Sequence, residues 1–510
     1  MTFGLETHQN GLRVIDGGCR PDAPAGLHLQ LPGAPRMGPA ELAAELAELY
    51  AMALVRDLPF ALMQDPHCEI WIDASTHFTL HELLCELRSL SWFNDQALPV
   101  PGPVETVLRS RTVCGDADQR RGLRLNGDGQ LTLRSLFRGV VAHRGPQIRL
   151  STLHATDRAS CAETEPCAPP EADAPMSRWL AWIERCSGAS LVQRGQAGPP
   201  DEALITPRAL VARLHASHPC RIYFNAALRL LGRRAPLDPW LEAVAAPGVA
   251  SAQTLLSMMA ECAERAYSAA MRMQGRADRL SRPSVTAARI TALLARDDLP
   301  GGGESDLAAC AEELAGKAPH LLHWVDRMNR AQGGARRRRA DLHLPSLRDD
   351  QPSHRADHVA KAVVAGALST LLKAVFDSRR HARLRMVGSQ GAGIDIGAEA
   401  DRLAADVALA RSVSGNFFQA ENYQDLRLGE AIACHVLRRR LEAQGQSLSL
   451  GFSNFDGQLV DLAVHPRGAT GHATLRIDGR LAPWPMEAGR PGCPGLQGPG
   501  GGVLVSAAGA

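Results

Sequence analysis

Aromatic residues and net charge are what this sequence has least of. Phe, Trp and Tyr make up only 4% of the 510 residues, so the core has to be built mainly from Leu, Ala and Val. The formal net charge is +2, which gives no general attraction to nucleic acid or to an anionic membrane. With 45% apolar and 22% charged residues, the composition is that of an ordinary soluble globular protein with room for a large core.

The sequence also lacks the cysteine spacings that structural metal sites and redox motifs use. None of its 12 cysteines forms a Cys-x-x-Cys pair, which argues against zinc and thioredoxin-type chemistry. The residues from Met1 onwards show no basic region followed by an apolar run, so no signal peptide is expected. Scattered thiols without an export signal favour a cytoplasmic location.

Long apolar runs are missing as well. The longest, Ala360–Phe376, is interrupted by Lys361 and Lys373 and is interpreted as too short and too charged to cross a membrane. A basic run at Arg336–Arg339 has no interleaved aromatic residues and is interpreted as a solvated loop. Neither a membrane span nor a nucleic-acid partner is therefore predicted.

Helical periodicity dominates what is present. Apolar residues recur every three or four positions from Pro39 onwards, and Glu41, Glu45 and Glu48 fall on another face of that helix. The pattern predicts an all-α chain. Its further predicted helices are His77–Ser91, Ser177–Cys186, Pro207–His218, Ile222–Leu231, Ala252–Leu280, Pro283–Arg296, Asp306–Gln332, Ala360–Asp377, Ala398–Val413 and Tyr423–Ala443.

Near the C-terminus the pattern changes from helical to alternating. Leu459–Val464 and Ala473–Ile477 alternate apolar and polar residues and end near Asp-Gly pairs, which predicts a small β-hairpin element. Composition predicts the boundaries of the remaining segments. The predicted organisation is an irregular segment at 1–39, a helical domain at 40–480 with a loop insertion at about 156–174, and a Gly/Pro-rich tail at 481–510.

Several segments taken together resemble the vanadium-dependent haloperoxidases, a family that shares its fold with the type 2 phosphatidic acid phosphatases. The segments are Ala44–Phe60, Ile222–Leu231, Arg282-Pro283, Pro352–His354, Ala362–Asp377, Ala408–Gly415, Leu428–Glu430 and Gly451–Gly457. The resemblance implies helical bundles with vanadate at one end, where peroxide binds and a halide is oxidised. It is also compatible with a homo-oligomer.

The same resemblance implies which residues would hold the oxyanion. Arg282 and Arg411 match the two arginines of the family site, and His354 matches a histidine that lines it. A buried, permanently charged guanidinium with forked donors suits such an anion. Where relatives carry Lys, this chain has Gln274, or Gly275 if the spacing differs, and neither is a cation.

Arg411 is singled out by the helical pattern as well. It follows Leu403 and Val407 at intervals of four, which places its guanidinium on the apolar stripe of a helix. An inward arginine needs an anionic partner because burying an unpaired charge is costly. That partner is either a ligand or a carboxylate such as Glu421 or Glu430.

The second site motif departs from the family at three successive positions. Val359, Ala360 and Lys361 stand where relatives carry Ser, Gly and the acid–base His. Val359 has no hydroxyl, whereas Ala360 keeps a backbone N–H that favours an anion if it lies at a helix N-terminus. Lys361 can attract an anion but is a poor base while protonated. His358 is interpreted as a surface or loop residue, with a role in replacing the lost histidine as the alternative.

The third site motif departs from the family at the position of the metal ligand. Phe417 stands at the position of the vanadium-bonding histidine, and a phenyl ring can neither ligate a metal nor become phosphorylated. The sequence therefore predicts a haloperoxidase-like protein that is inactive or altered, holds vanadate weakly or not at all, and has no other metal site. Two alternatives stay open: a non-catalytic scaffold or binder of a phosphate-like oxyanion, and a new enzyme using Lys361 as base or nucleophile.

Overall fold

A computed structural model describes most of the predicted helical domain. The described residues are 31–94, 117–126, 128–142, 148–154, 205–215, 217–276, 278–295, 305–333, 340–345, 347, 355–376, 383–384, 394–467 and 470–486. Within them, Leu31–Pro485 forms one compact unit. The predicted insertion at 156–174, the helix Ser177–Cys186, His354 and the end of the tail lie outside the described residues. The domain limits stay predictions.

Helices account for most of the described residues. They are α1 (Pro39–Val55), α2 (Leu80–Ser89), α3 (Ser91–Asn94), α4 (Ala117–Gly122), α5 (Leu133–Arg138), α6 (Pro207–His215), α7 (Arg221–Gly232), α8 (Trp240–Val244), α9 (Ser251–Gln274), α10 (Pro283–Leu294), α11 (Ser305–Lys317), α12 (Pro319–Gly333), α13 (Arg355–Val375), α14 (Ile396–Val413) and α15 (Gln419–Glu442).

The strands are short and mostly C-terminal. They are β1 (Glu69–Asp73), β2 (Thr76–Thr79), β3 (Arg383–Leu384), β4 (Ile394–Asp395), β5 (Leu448–Ser453), β6 (Leu459–Arg467), β7 (Thr470–Ile477) and β8 (Arg480–Ala482). The last four form an antiparallel sheet in chain order, so the predicted hairpin is the centre of a four-stranded meander. Val460, Leu462 and Val464 are buried on one face of β6. The all-α class with a small C-terminal β element is confirmed.

The core is a bundle in which α13 packs against α9, α14 and α15. Every residue of α13 from His358 to Val375 is buried. Two glycines set the closest approach of this bundle. A Cβ on Gly366 would lie 2.8 Å from the carbonyl carbon of Leu426, and one on Gly429 would lie 2.5 Å from the amide nitrogen of Ala367. The backbones of α13 and α15 therefore touch where both helices carry glycine.

Helix α13 is also the one described helix long and apolar enough to cross a membrane. The window His358–Val375 has a mean hydropathy of 1.4, so the sequence-based argument that this run is too short and too charged is wrong. All 18 residues of the window are buried inside the protein. The core helix of a globular bundle has the same length and composition, so this is weak evidence for a membrane span.

Several predicted boundaries differ from the structure for local reasons. The helix predicted at 306–332 is two helices, α11 and α12, because Pro319 has no N–H and disfavours a helical residue before it. The helix predicted from His77 begins instead at Leu80, after strand β2. There Thr79 forms a capping box, accepting from the Glu82 amide while its own amide donates to Glu82 Oε2 at 2.7 Å.

The acidic face of α1 is buried. Glu41 pairs with Arg120 at 2.6 Å, and Arg124 of the segment after α4 lies 2.5 Å from Glu45 and 3.2 Å from Glu48. Glu45 also accepts the amides of Gln419 and Ala420, so it caps the N-terminus of α15. An amphipathic pattern suggests water on the acidic side, but here two arginines, one in α4 and one just after it, cover that side.

Candidate functional site

Five segments meet at one end of the bundle. They are the C-terminal turn of α6, the first turns of α13, the C-terminal turn of α14, the loop before α15, and the first two turns of α15. The residue that connects most of them is Arg411, near the end of α14, which is 1% exposed. The prediction of an inward, buried Arg411 is confirmed.

The partner of Arg411 is Asp425. Arg411 Nη2 donates to Asp425 Oδ2 at 2.7 Å, and the ring of Phe417 lies with its centroid 3.7 Å from the guanidinium carbon. A cation over an aromatic face is a favourable arrangement, and it is stronger when both are buried. Burial lowers the pKa of Arg411, and the Asp425 carboxylate opposes that shift. The expected carboxylates, Glu421 and Glu430, are not the ones that bond to it.

Arg279 is a second guanidinium near Arg411. Its side chain is 17% exposed, and its Nη2 lies 3.9 Å from Glu421 Oε1. Glu421 also accepts the amide of Phe418 at 3.1 Å, at the N-terminus of α15. Arg279, Glu421 and Asp425 line one narrow surface pocket with a cavity volume of about 10 Å³. Carboxylates and guanidinium groups thus share the walls of this pocket.

Lys361 and His358 lie one turn apart on α13, and both are buried. Lys361 donates through Nζ to the carbonyl oxygen of Leu214 on α6. His358 Nε2 lies 2.8 Å from His215 Nδ1, and the two imidazole rings are stacked. The interpretation of His358 as a surface or loop residue is therefore wrong. Burial, followed by the charges of Lys361 and Arg411, lowers the pKa of His358 to about 3, so its imidazole is neutral near pH 7.

This buried imidazole predicts a loss of stability in acid. Between about pH 3 and the ordinary pKa of 6.5, the unfolded chain binds one proton that the folded protein does not. The free energy of unfolding should therefore fall as the pH drops through this window, by about 1.4 kcal/mol per pH unit for this one group. In His358→Gln, urea unfolding between pH 4 and pH 6.5 should show a free energy of unfolding that falls less steeply with decreasing pH. The difference from wild type should correspond to the uptake of one proton. A slope equal to that of wild type would contradict the assignment, and the exposed His323→Gln variant serves as the control.

The remaining predicted site residues differ in exposure and in their position on the helices. Arg282, for which a buried guanidinium is expected, is an exposed residue at the N-cap of α10. Gln274 is the half-buried last residue of α9, at the carbonyl end of that helix. Val359 and Ala360 are buried inside α13. Because α13 begins at Arg355, Ala360 lies in its second turn, where the backbone N–H is used within the helix.

Sequence reasoning missed three of the groups that meet here: Arg279, Asp425 and His215. Arg279 is three residues before Arg282, and the sequence offers no signal to choose between the two. Asp425 is one of several acids on α15, a helix with buried residues on all faces. His215 is brought to His358 only by the packing of α6 against the bundle. Among the described residues, no group of three or more His, Cys, Asp or Glu side chains could hold a metal ion.

Comparisons with known proteins agree on one relationship, although no family model matches the chain. The vanadium-dependent bromoperoxidase of Corallina officinalis is 25% identical over 513 residues, covering 90% of this chain and 79% of that protein. The Corallina pilulifera enzyme of the same description is also 25% identical, over 514 residues. A solved homohexameric bromoperoxidase from Ascophyllum nodosum has a TM-score of 0.53 at 17% identity, covering 89% of this chain and 75% of that one.

The solved structure establishes the class: this is the helical-bundle fold of the vanadium haloperoxidases. Together with this fold, two relatives that align over nine-tenths of the chain at 25% identity support a divergent member of the vanadium-dependent haloperoxidase family.

Proposed function

We propose that this protein is a non-catalytic scaffold member of the haloperoxidase family and does not oxidise halides. The observation that carries the proposal is the contact between Phe417 and Arg411. The position that would have to bond to the metal holds a fully buried phenyl ring, packed 3.7 Å from the arginine that would have to hold the oxyanion. A ring in that place has no lone pair to give to vanadium.

The surrounding residues fit vanadate poorly too. A site for this anion needs unpaired positive charge and several donors directed at one point. Here Arg411 is paired with Asp425, Arg279 lies beside Glu421, and Lys361 donates to a backbone carbonyl. His358, the nearest buried histidine on α13, is stacked on His215. We therefore derive no chemical step through vanadium in this chain.

The direct test measures bromination. Purified full-length protein is incubated with orthovanadate, hydrogen peroxide and bromide, and bromination of a phenolic dye is followed, with the Corallina officinalis enzyme as the positive control. We expect no rate above that of a sample without vanadate. Vanadate-dependent turnover would contradict the proposal.

Restoring the lost ligand alone should not restore activity. Phe417→His supplies an imidazole, but Asp425 still forms an ion pair with Arg411. Lys361 also still stands at the acid–base position. We expect no vanadate-dependent bromination by Phe417→His, and the same result for Phe418→His, which places an imidazole one residue away at another buried position. Bromination by Phe417→His and not by Phe418→His would show that a single residue separates this chain from an active enzyme.

A second candidate function is supported by a different observation. Arg411 Nε and Nη1 and Arg279 Nη1 are buried without a hydrogen-bond acceptor among the described residues. Buried donors of this kind ordinarily have a partner, so a small anion held by charge alone is the alternative. Calorimetric titration of the wild-type protein with orthovanadate and with orthophosphate distinguishes the two: the scaffold proposal expects no measurable heat of binding from either.

A further inference from the structure

Arg411 differs from the other well-buried arginines in how few of its donors are used. Arg427 directs Nε to Asp456 at 3.1 Å and Nη1 to the carbonyls of Val140 and Tyr423, and its Nη2 also bonds to Asp456. Arg411 makes one such bond, from Nη2 to Asp425. Among the described residues, it is the arginine with two buried nitrogen atoms that lack an acceptor.

The short side chain of Asp425 explains the incomplete pairing. It extends from the second turn of α15 and reaches one nitrogen of the guanidinium, while the Phe417 ring covers the face. A carboxylate held this way supplies charge but not the forked pair of acceptors that a guanidinium prefers. Nη1 of Arg279 is buried and without an acceptor as well. The three unused donors thus belong to two cations that already lie beside carboxylates.

The charges at this end of the bundle are nearly balanced by the protein itself. Arg279, Arg411 and Lys361 supply three positive charges, and Glu421 and Asp425 supply two negative ones. Asp425 is 3% exposed and lines the same narrow pocket as Arg279 and Glu421. An incoming oxyanion would therefore meet the buried carboxylate of Asp425. Both are negatively charged, and they repel each other strongly where water is excluded.

We propose that Asp425 is a built-in counter-ion that excludes oxyanions from Arg411 and Arg279, and that removing its charge converts this end of the bundle into an oxyanion-binding site. This inference rests on the proposed function, because it gives a reason why a chain with two neighbouring arginines at this end of the bundle would not hold an anion. Asp425 acts as a specificity-determining residue through the arginine it occupies.

Two variants of the full-length protein test this with inorganic phosphate as the probe. Asp425→Ala removes both charge and volume, and Asp425→Asn removes the charge with little change of shape, so the second serves if the first does not fold. Phosphate is exchanged for chloride at constant ionic strength, and its binding is followed by calorimetry and by the shift in Tm. We expect both variants to bind phosphate about tenfold or more tightly than wild type.

The control removes the cation from the same site. In Asp425→Ala with Arg411→Met, the response to phosphate should disappear, because the charge of Arg411 and two of the three unused donors are gone. Three results would each overturn the inference. They are phosphate binding by wild type as tight as by the variants, no gain of phosphate affinity in either variant, and a gain of affinity that remains after Arg411→Met. Bromination by the wild-type protein would instead refute the proposed function, so the two failures are separate.

Discussion

Gly366→Ala should destabilise this protein strongly, although it adds only one methyl group to a helix. The new Cβ would overlap the carbonyl oxygen of Leu426 and lie 2.8 Å from its carbonyl carbon. Backbone cannot rotate away as a side chain can, so α13 and α15 would have to separate along the centre of the core. Overpacking alone costs about 1–3 kcal/mol. For a clash between two backbones we expect about 4 kcal/mol or more.

The measurement is urea unfolding of Gly366→Ala beside Gly316→Ala. Gly316 is in α11, and a Cβ there meets nothing within 4 Å. Because alanine has a higher helix propensity, Gly316→Ala should be neutral or more stable by up to about 1 kcal/mol. Equal stability of Gly366→Ala and wild type would mean that the two helices are not in contact at this point. Gly429→Ala, on the other side of the same contact, should behave like Gly366→Ala.

Asp401→Leu should also destabilise the protein strongly. Lys373 is fully buried in α13, its Nζ is 2.7 Å from Asp401 Oδ1, and it lies 4.2 Å from the centre of the Phe455 ring. Removing the carboxylate leaves a buried ammonium without its partner, which costs about 3–5 kcal/mol. Lys373→Met should cost less, because burial raises the pKa of Asp401, and a carboxyl group that loses its cation can take up a proton.

The double variant Lys373→Met with Asp401→Leu completes the cycle. Both charges are then absent, so the variant should be more stable than Asp401→Leu alone. Chemical unfolding of the four proteins at pH 7 measures the coupling. If the two single changes simply add, Lys373 and Asp401 do not form an energetically coupled pair.

The family and the fold class could be read from the sequence because each depends on short-range patterns. Helical periodicity located most of the long helices, and the Asp-Gly pairs located the turns of the C-terminal sheet, where Asp478 and Gly479 have positive φ. Arg411 was recognised as an inward arginine because its position on the helix follows from spacing alone. Phe417 is predicted to stand at the position of the lost ligand, because a resemblance aligns positions one by one.

The partners of these residues could not be predicted in the same way. The sequence could not identify Asp425 rather than Glu421 as the partner of Arg411. Both acids lie on α15, one turn apart. The acids of α1 were expected on a separate face from its apolar residues, and only the position of Arg120 and Arg124 shows that this face is buried. His358 and His215 are 143 residues apart along the chain, and no local pattern connects them.

The sequence by itself therefore predicted the fold class and the family, because periodicity and motif order are local properties, and the loss of the ligand residue at Phe417 stays a prediction. Only the tertiary structure shows that the charge of Arg411 is paired with Asp425 of the same chain. Charge balance at a buried site depends on which side chains different helices bring within about 4 Å of each other. That distance is set by close packing, such as the contact between Gly366 and Gly429, and not by the spacing of residues along the chain.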